Sequence, residues 1–297
     1  MGMLDAWGDH PVVAQTLAEA SAALGEDVGR LIRVGPKEAL ELTTNTQPVM
    51  VTAAIACYRA WLAEGGPEPV ALAGHSLGEY SALVAAEALS LSVALPLVRF
   101  RALAMQDAVP VGAGAMAAIL GLDAATVGEG CAKVEQESGE VVAPANFNDP
   151  KQTVIAGSKV GVERACELLK SIGAKRALVL AVSAPFHSSL MQPAAIRLKE
   201  RLDTVAISAP RIPVVNNIDV AAPSGAEDIR DALYRQAFGA VRWVEVVAAL
   251  RARGLQHIFE CGPGKVLSGL VKRIDGALVS TTVLDATTLA AAKGMLV

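Results

Sequence analysis

The stretch Val70-Ala71-Leu72-Ala73-Gly74-His75-Ser76-Leu77-Gly78-Glu79-Tyr80 decides the fold. Its four opening apolar residues suit a short strand buried on both faces, as in a parallel sheet. Gly74 and Gly78 bracket a serine in the pattern Gly-x-Ser-x-Gly, and residues 77–87 read as a helix. Strand, tight turn and helix together are the setting of a nucleophile elbow. Small residues two positions either side of the serine let the turn close and lift the Ser76 hydroxyl off the sheet. The helix then points its free N–H groups and positive dipole end at the same spot. The Leu77 N–H becomes the natural donor to an oxyanion. On this pattern alone, a glycine-rich corner without chemistry stays open as the alternative.

Working outward, helices are expected at 9–24, with Asp9 as cap, at 48–63, opened by Pro48, and at 92–107. From residue 115 the texture changes. Strands are expected at 116–122, 141–147, 153–157 and 176–182, with helices at 123–137 and 161–172. That order, β-α-β-β-α-β, is the ferredoxin-like arrangement. Helices follow at 193–202, 229–238 and 244–253, and short strands at 213–215 and 257–260. The predicted fold is α/β. A hydrolase-like parallel-sheet core spans residues 1–111 and 183–297, with an inserted ferredoxin-like subdomain at 112–182.

The 297 residues are 53% hydrophobic but only 4% aromatic, which excludes a disordered chain and favours helices packed on a Val/Ile-rich sheet. A net charge of -4 argues against sequence-independent nucleic-acid binding, which needs a basic face. Cys57, Cys131, Cys166 and Cys261 show no metal-ligand spacing and fit buried thiols in a reducing cytoplasm. The opening MGMLDAWGDH has no basic n-region, so no signal peptide is expected. The longest uncharged run, between Arg176 and Arg197, is broken by serines, prolines and His187, so no membrane span is expected.

A serine needs a base. Of the four histidines, His10 reads as solvent-exposed, His75 is turned away by the elbow, and His257 reads as a packing residue. His187 lies in Ala184-Pro185-Phe186-His187-Ser188-Ser189, a loop after an apolar strand, where α/β sites assemble. It is the favoured base. A lipase or esterase would also place an acid between serine and histidine in chain order. Asp107, Asp123 and Asp149 are available, but no HGGG-type motif accompanies them.

The run GHSLGEY at Gly74–Tyr80, continued by Ser81-Ala82-Leu83-Val84, resembles the malonyl-CoA:acyl carrier protein transacylase family. Thr46-Gln47-Pro48, Arg99–Gln106, Asn146-Phe147-Asn148, Ala184–His187, Pro213–Asn217 and Gly262–Leu267 extend the likeness over nearly the whole chain. The resemblance implies that Ser76 carries malonyl as an ester, with His187 as general base and acid. It implies that Arg101 holds the malonyl carboxylate, for which a guanidinium fork is well shaped. Gln47 matches a pocket glutamine, and Gln236 the position whose carbonyl orients the histidine. Malonyl-CoA and acyl carrier protein are the implied partners, with no cofactor and no metal. A cytoplasmic monomer is expected, with Lys151, Lys159, Lys175 and Arg176 available to an acidic carrier. Family members begin with a strand and a Gly-Gln-Gly-Ser-Gln segment that supplies a second oxyanion donor. This sequence aligns from the Gly-Met pair after it.

Overall fold

The computed structural model describes residues 1–296. Its helices are α1 (Pro11–Leu24), α2 (Val28–Val34), α3 (Lys37–Glu41), α4 (Thr43–Ala63), α5 (Gly78–Ala85), α6 (Leu91–Asp107), α7 (Ala124–Ser138), α8 (Lys159–Ser171), α9 (Gln192–Asp203), α10 (Ala226–Gln236), α11 (Trp243–Ala252), α12 (Val266–Ile274) and α13 (Ala286–Gly294). Its strands are β1 (Leu72–Ala73), β2 (Gly114–Leu120), β3 (Val142–Asp149), β4 (Gln152–Ser158), β5 (Arg176–Val179), β6 (Val214–Val215), β7 (His257–Cys261) and β8 (Val279–Val283).

Three sheets result. β1 pairs with β6 and β7 with β8, both in parallel. β2 to β5 form an antiparallel sheet of order β3-β4-β2-β5, with α7 and α8 in the crossings. That sheet has its own apolar interior, where Ile119, Val127, Val142, Ile155, Val162 and Leu169 are buried together. The largest core is separate and joins α1, α4, α5, α6 and α9 through residues such as Val13, Ile55, Leu83, Leu95 and Leu198. A cavity of about 270 Å³ lies between β1 and β7, lined by Tyr58, Trp61, Leu72, Trp243, Phe259 and Val271.

The elements expected from sequence are found with shifted ends. α1 begins at Pro11 with His10, not Asp9, at its cap position. Pro48 does not open its helix. α4 starts five residues earlier, at Thr43, and carries Pro48 inside. A proline there leaves the carbonyl four residues back without its helical donor. The Arg99 Nε donates to that carbonyl, on Thr44, at 3.3 Å. The hairpin between the strands expected at 141–147 and 153–157 is tighter than those ends imply, since β3 runs to Asp149, which pairs with Gln152.

The antiparallel sheet is tied to the rest of the chain. The Phe147 N–H donates to the Val241 carbonyl and the Val241 N–H to the Ala145 carbonyl, both at 2.9 Å. Arg273 of α12 pairs with Asp149 of β3 at 2.7 Å. Among the described residues no helix is long and apolar enough to cross a membrane.

Candidate active site

The elbow forms as the glycine spacing requires, though only one glycine is sterically necessary. A Cβ on Gly74 would lie 1.9 Å from the Gly78 backbone, whereas one on Gly78 meets nothing within 4 Å. Ser76 takes φ of 51°, a left-handed conformation that is strained for a side-chain-bearing residue. Asn217, two residues past β6, clasps the turn. It accepts from the Ser76 N–H at 2.6 Å and donates from Nδ2 to the Gly74 carbonyl at 2.7 Å. The Leu77 N–H donates to no backbone carbonyl among the described residues. It sits at the start of α5, where an incoming oxyanion would find both a free donor and the helix dipole.

His187 meets the serine from the loop after β5. Its Nε2 is 2.7 Å from Ser76 Oγ. Its Nδ1 faces two carbonyl oxygens, of Gln236 at 2.8 Å and of Gly239 at 3.1 Å. Carbonyls only accept, so Nδ1 carries the proton and Nε2 is left to accept from the serine hydroxyl. Burial, reinforced by the charge of Arg101, pushes this imidazole down to about 3, so it stands neutral and ready as a base. None of the three sequence candidates for an acidic partner comes near it. Asp107 pairs with Arg197, Asp123 caps α7 and Asp149 pairs with Arg273.

Arg101 comes up from α6 and is buried to 3% exposure. Its Nη1 donates to Gln47 Oε1 of α4 at 2.9 Å. Its Nη2 lies 3.3 Å from Ser76 Oγ and 3.5 Å from Gln236 Oε1, and the guanidinium stands over the Tyr80 ring. Thus Ser76, Leu77, His187, Arg101, Gln47 and Gln236 all converge. The Gln236 side chain also contributes, donating from Nε2 to the Ser76 carbonyl at 3.1 Å and to Glu79 Oε2 at 2.9 Å.

Two members of this cluster were not singled out in the sequence, Asn217 and Glu79. Glu79 is 2% exposed, and burial pushes its carboxyl up to about 7. Asn217 closes the Pro213–Asn217 motif, which gives no reason to aim its amide at the elbow. An acid in the first turn of a helix ordinarily reads as solvated dipole compensation. His10 is half-buried rather than exposed, edge-on to Trp7 and 3.3 Å from Glu64. His75 points to Asn148 of β3 at 2.8 Å and His257 stacks on Phe259. Cys57, Cys131 and Cys166 are buried and Cys261 half-buried.

Residues 1–269 match the family model described as acyl transferase domain. Malonyl CoA-acyl carrier protein transacylase of Escherichia coli O157:H7 is 50% identical over 293 residues, covering 98% of this chain and 94% of that protein. The solved structure of acyl-carrier-protein S-malonyltransferase from Burkholderia pseudomallei is 60% identical with a TM-score of 0.97, over 99% of this chain and 95% of that one. A malonyl-transacylase solved in complex with its type II PKS acyl-carrier protein is 47% identical, TM-score 0.97, over 99% and 95% of the two chains. With a nucleophile elbow, a neutral histidine on its hydroxyl and this extent of identity, the chain belongs to the acyl transferase domain family and, within it, to the malonyl-CoA:acyl carrier protein transacylases.

Proposed function

We propose that this chain moves malonyl from malonyl-CoA to the phosphopantetheine thiol of acyl carrier protein, through an ester on Ser76, for fatty acid biosynthesis. The observation that carries the reading is the Ser76 Oγ held 2.7 Å from His187 Nε2 and 3.3 Å from a buried arginine. His187 takes the serine proton as Oγ attacks the thioester carbonyl. The Leu77 N–H stabilises the oxyanion. Collapse breaks the C–S bond, and the proton passes from Nε2 to the departing coenzyme A sulfur. The carrier thiol then reverses these steps. Arg101, braced by Gln47, binds the acyl carboxylate, and the Gln236 carbonyl stands where a triad would use an acid.

In this scheme coenzyme A thioester is substrate, and no metal or cofactor is assigned a step. The carrier in complex with a 47% identical transacylase supports the choice of acceptor. The architecture is read as a hydrolase-like core, residues 1–111 and 183–297, carrying a ferredoxin-like subdomain at 112–182. The strand order β3-β4-β2-β5 and the separate apolar interior support that division. A cytoplasmic monomer that binds neither nucleic acid nor membrane completes the proposal.

Intact mass spectrometry after mixing with malonyl-CoA tests it. A single malonyl adduct is expected, lost in Ser76→Ala and discharged by holo-acyl carrier protein. An adduct that hydrolyses as fast with the carrier as without it would favour a hydrolase instead.

A further inference from the structure

Arg101 is a buried cation with no carboxylate within ion-pair distance among the described residues. Such a charge is costly unless something nearby compensates it. The structure places a single amide between it and a buried acid. Gln236 Oε1 faces Arg101 Nη2 at 3.5 Å, while Gln236 Nε2 donates to Glu79 Oε2 at 2.9 Å. The amide dipole therefore runs from cation to carboxyl. Glu79 Oε2 takes a second donor, the Asn217 N–H at 2.8 Å, and Oε1 takes none among the described residues. An ionised carboxylate usually accepts on both oxygens, so Oε1 is where a proton can sit.

We infer that Glu79 is the counter-charge to Arg101 while no acyl carboxylate is bound, and that it takes up a proton when one arrives. The inference rests on the transacylase reading above. A malonyl carboxylate on Arg101 would leave two anions around one buried cation, and protonating Glu79 from solvent restores the balance. The carboxyl is already poised for this, pushed up to about 7 mainly by burial and opposed by its two donors and by Arg101. The other groups facing it do not substitute. Tyr80, on the same helix, is pushed up to about 12, again chiefly by burial. Asp219, in the loop after β6, is bound to Arg235 and held below its ordinary range. His187 stays neutral, pushed down to about 3, and His75 is lowered by burial. Glu79 is thus a positioning residue. Through Gln236 and Asn217 it sets the elbow, and through its charge it matches the pocket to an acid-bearing acyl group.

The test counts protons. The enzyme is mixed with malonyl-CoA in weakly buffered solution containing a pH indicator, and uptake is divided by the acyl-enzyme measured by intact mass. Acylation of a serine by a thioester is itself proton-neutral near pH 7. Wild type is expected to take up about half a proton per acyl-enzyme at pH 7, falling towards zero at pH 5, where Glu79 is already protonated. Glu79→Gln keeps an acceptor oxygen for both donors and is expected to take up none. Should that variant fail to fold, the wild-type pH profile decides alone: uptake that is absent, or does not fall towards pH 5, overturns the inference. Uptake that persists in Glu79→Gln assigns the proton to another group and also overturns it. An adduct formed without uptake sinks this inference alone, whereas no adduct at all sinks the transacylase reading with it.

Discussion

Glu79 makes the stability of the fold depend on pH. Its carboxyl ionises near 4.5 in an unfolded chain and at about 7 in the fold. Between those values the folded chain holds the extra proton, so stability falls as pH rises through that window, by up to roughly 3 kcal/mol. Glu79→Gln removes this cost, so its melting temperature is expected to gain on wild type from pH 5 to pH 8, as calorimetry at the two pH values would show. His187 acts in the opposite sense. An unfolded histidine gains a proton below 6.5 and this one does not until about 3, so the fold loses stability as pH falls between them. Gln47→Ala removes the 2.9 Å brace on Arg101 without touching the dyad. It is expected to raise KM for malonyl-CoA by about 10-fold, the worth of one hydrogen bond to a charged group, with a smaller change in kcat. Steady-state kinetics would separate the two. Ser76 and His187 were legible because a motif and a scarcity of histidines point at them. Glu79 was not, because nothing in a linear pattern tells which first-turn acid faces inward.

At the scale of elements, the elbow makes two contrasting glycines. Gly74→Ala drives a methyl into the Gly78 backbone and is expected to cost on the order of 3 kcal/mol or more. Gly78→Ala places its methyl in open space at the first position of α5 and should change stability by no more than about 1 kcal/mol. Urea titration of the pair checks both. The helices of the antiparallel unit were legible from their apolar pattern, while their exact starts are set by caps, with Asp123 and Ser158 each accepting from the third residue on. The start of α4 is hidden in the sequence because a proline normally marks a first turn, and the rescue of Thr44 by Arg99 is a tertiary event. α12, β8 and α13 lie outside the elements expected from the sequence. β8 is only Val-Ser-Thr-Thr-Val, and its identity as a strand comes from parallel pairing with β7.

Over the whole molecule, the β-α-β-β-α-β unit could be read in advance because its strands are long and its hairpin is local. The parallel elements could not be paired from sequence, since β1 and β6 have two residues each and lie far apart in the chain. The cavity between β1 and β7 exposes apolar and aromatic walls beside strand edges, a surface that attracts apolar ligands. The folded protein is expected to enhance the fluorescence of an apolar naphthalene sulfonate dye, and Trp61 emission should change with it; no response would count against an accessible cavity. The bonds joining Ala145 and Phe147 to Val241 have a further consequence. Phe186, beside His187, packs against the face of the antiparallel sheet and against the largest core alike. The loop that carries His187 is thus wedged where two apolar bodies meet, and the backbone stitch holds that wedge in place. Amide exchange at Phe147 and Val241 should then be as slow as in the deepest helices.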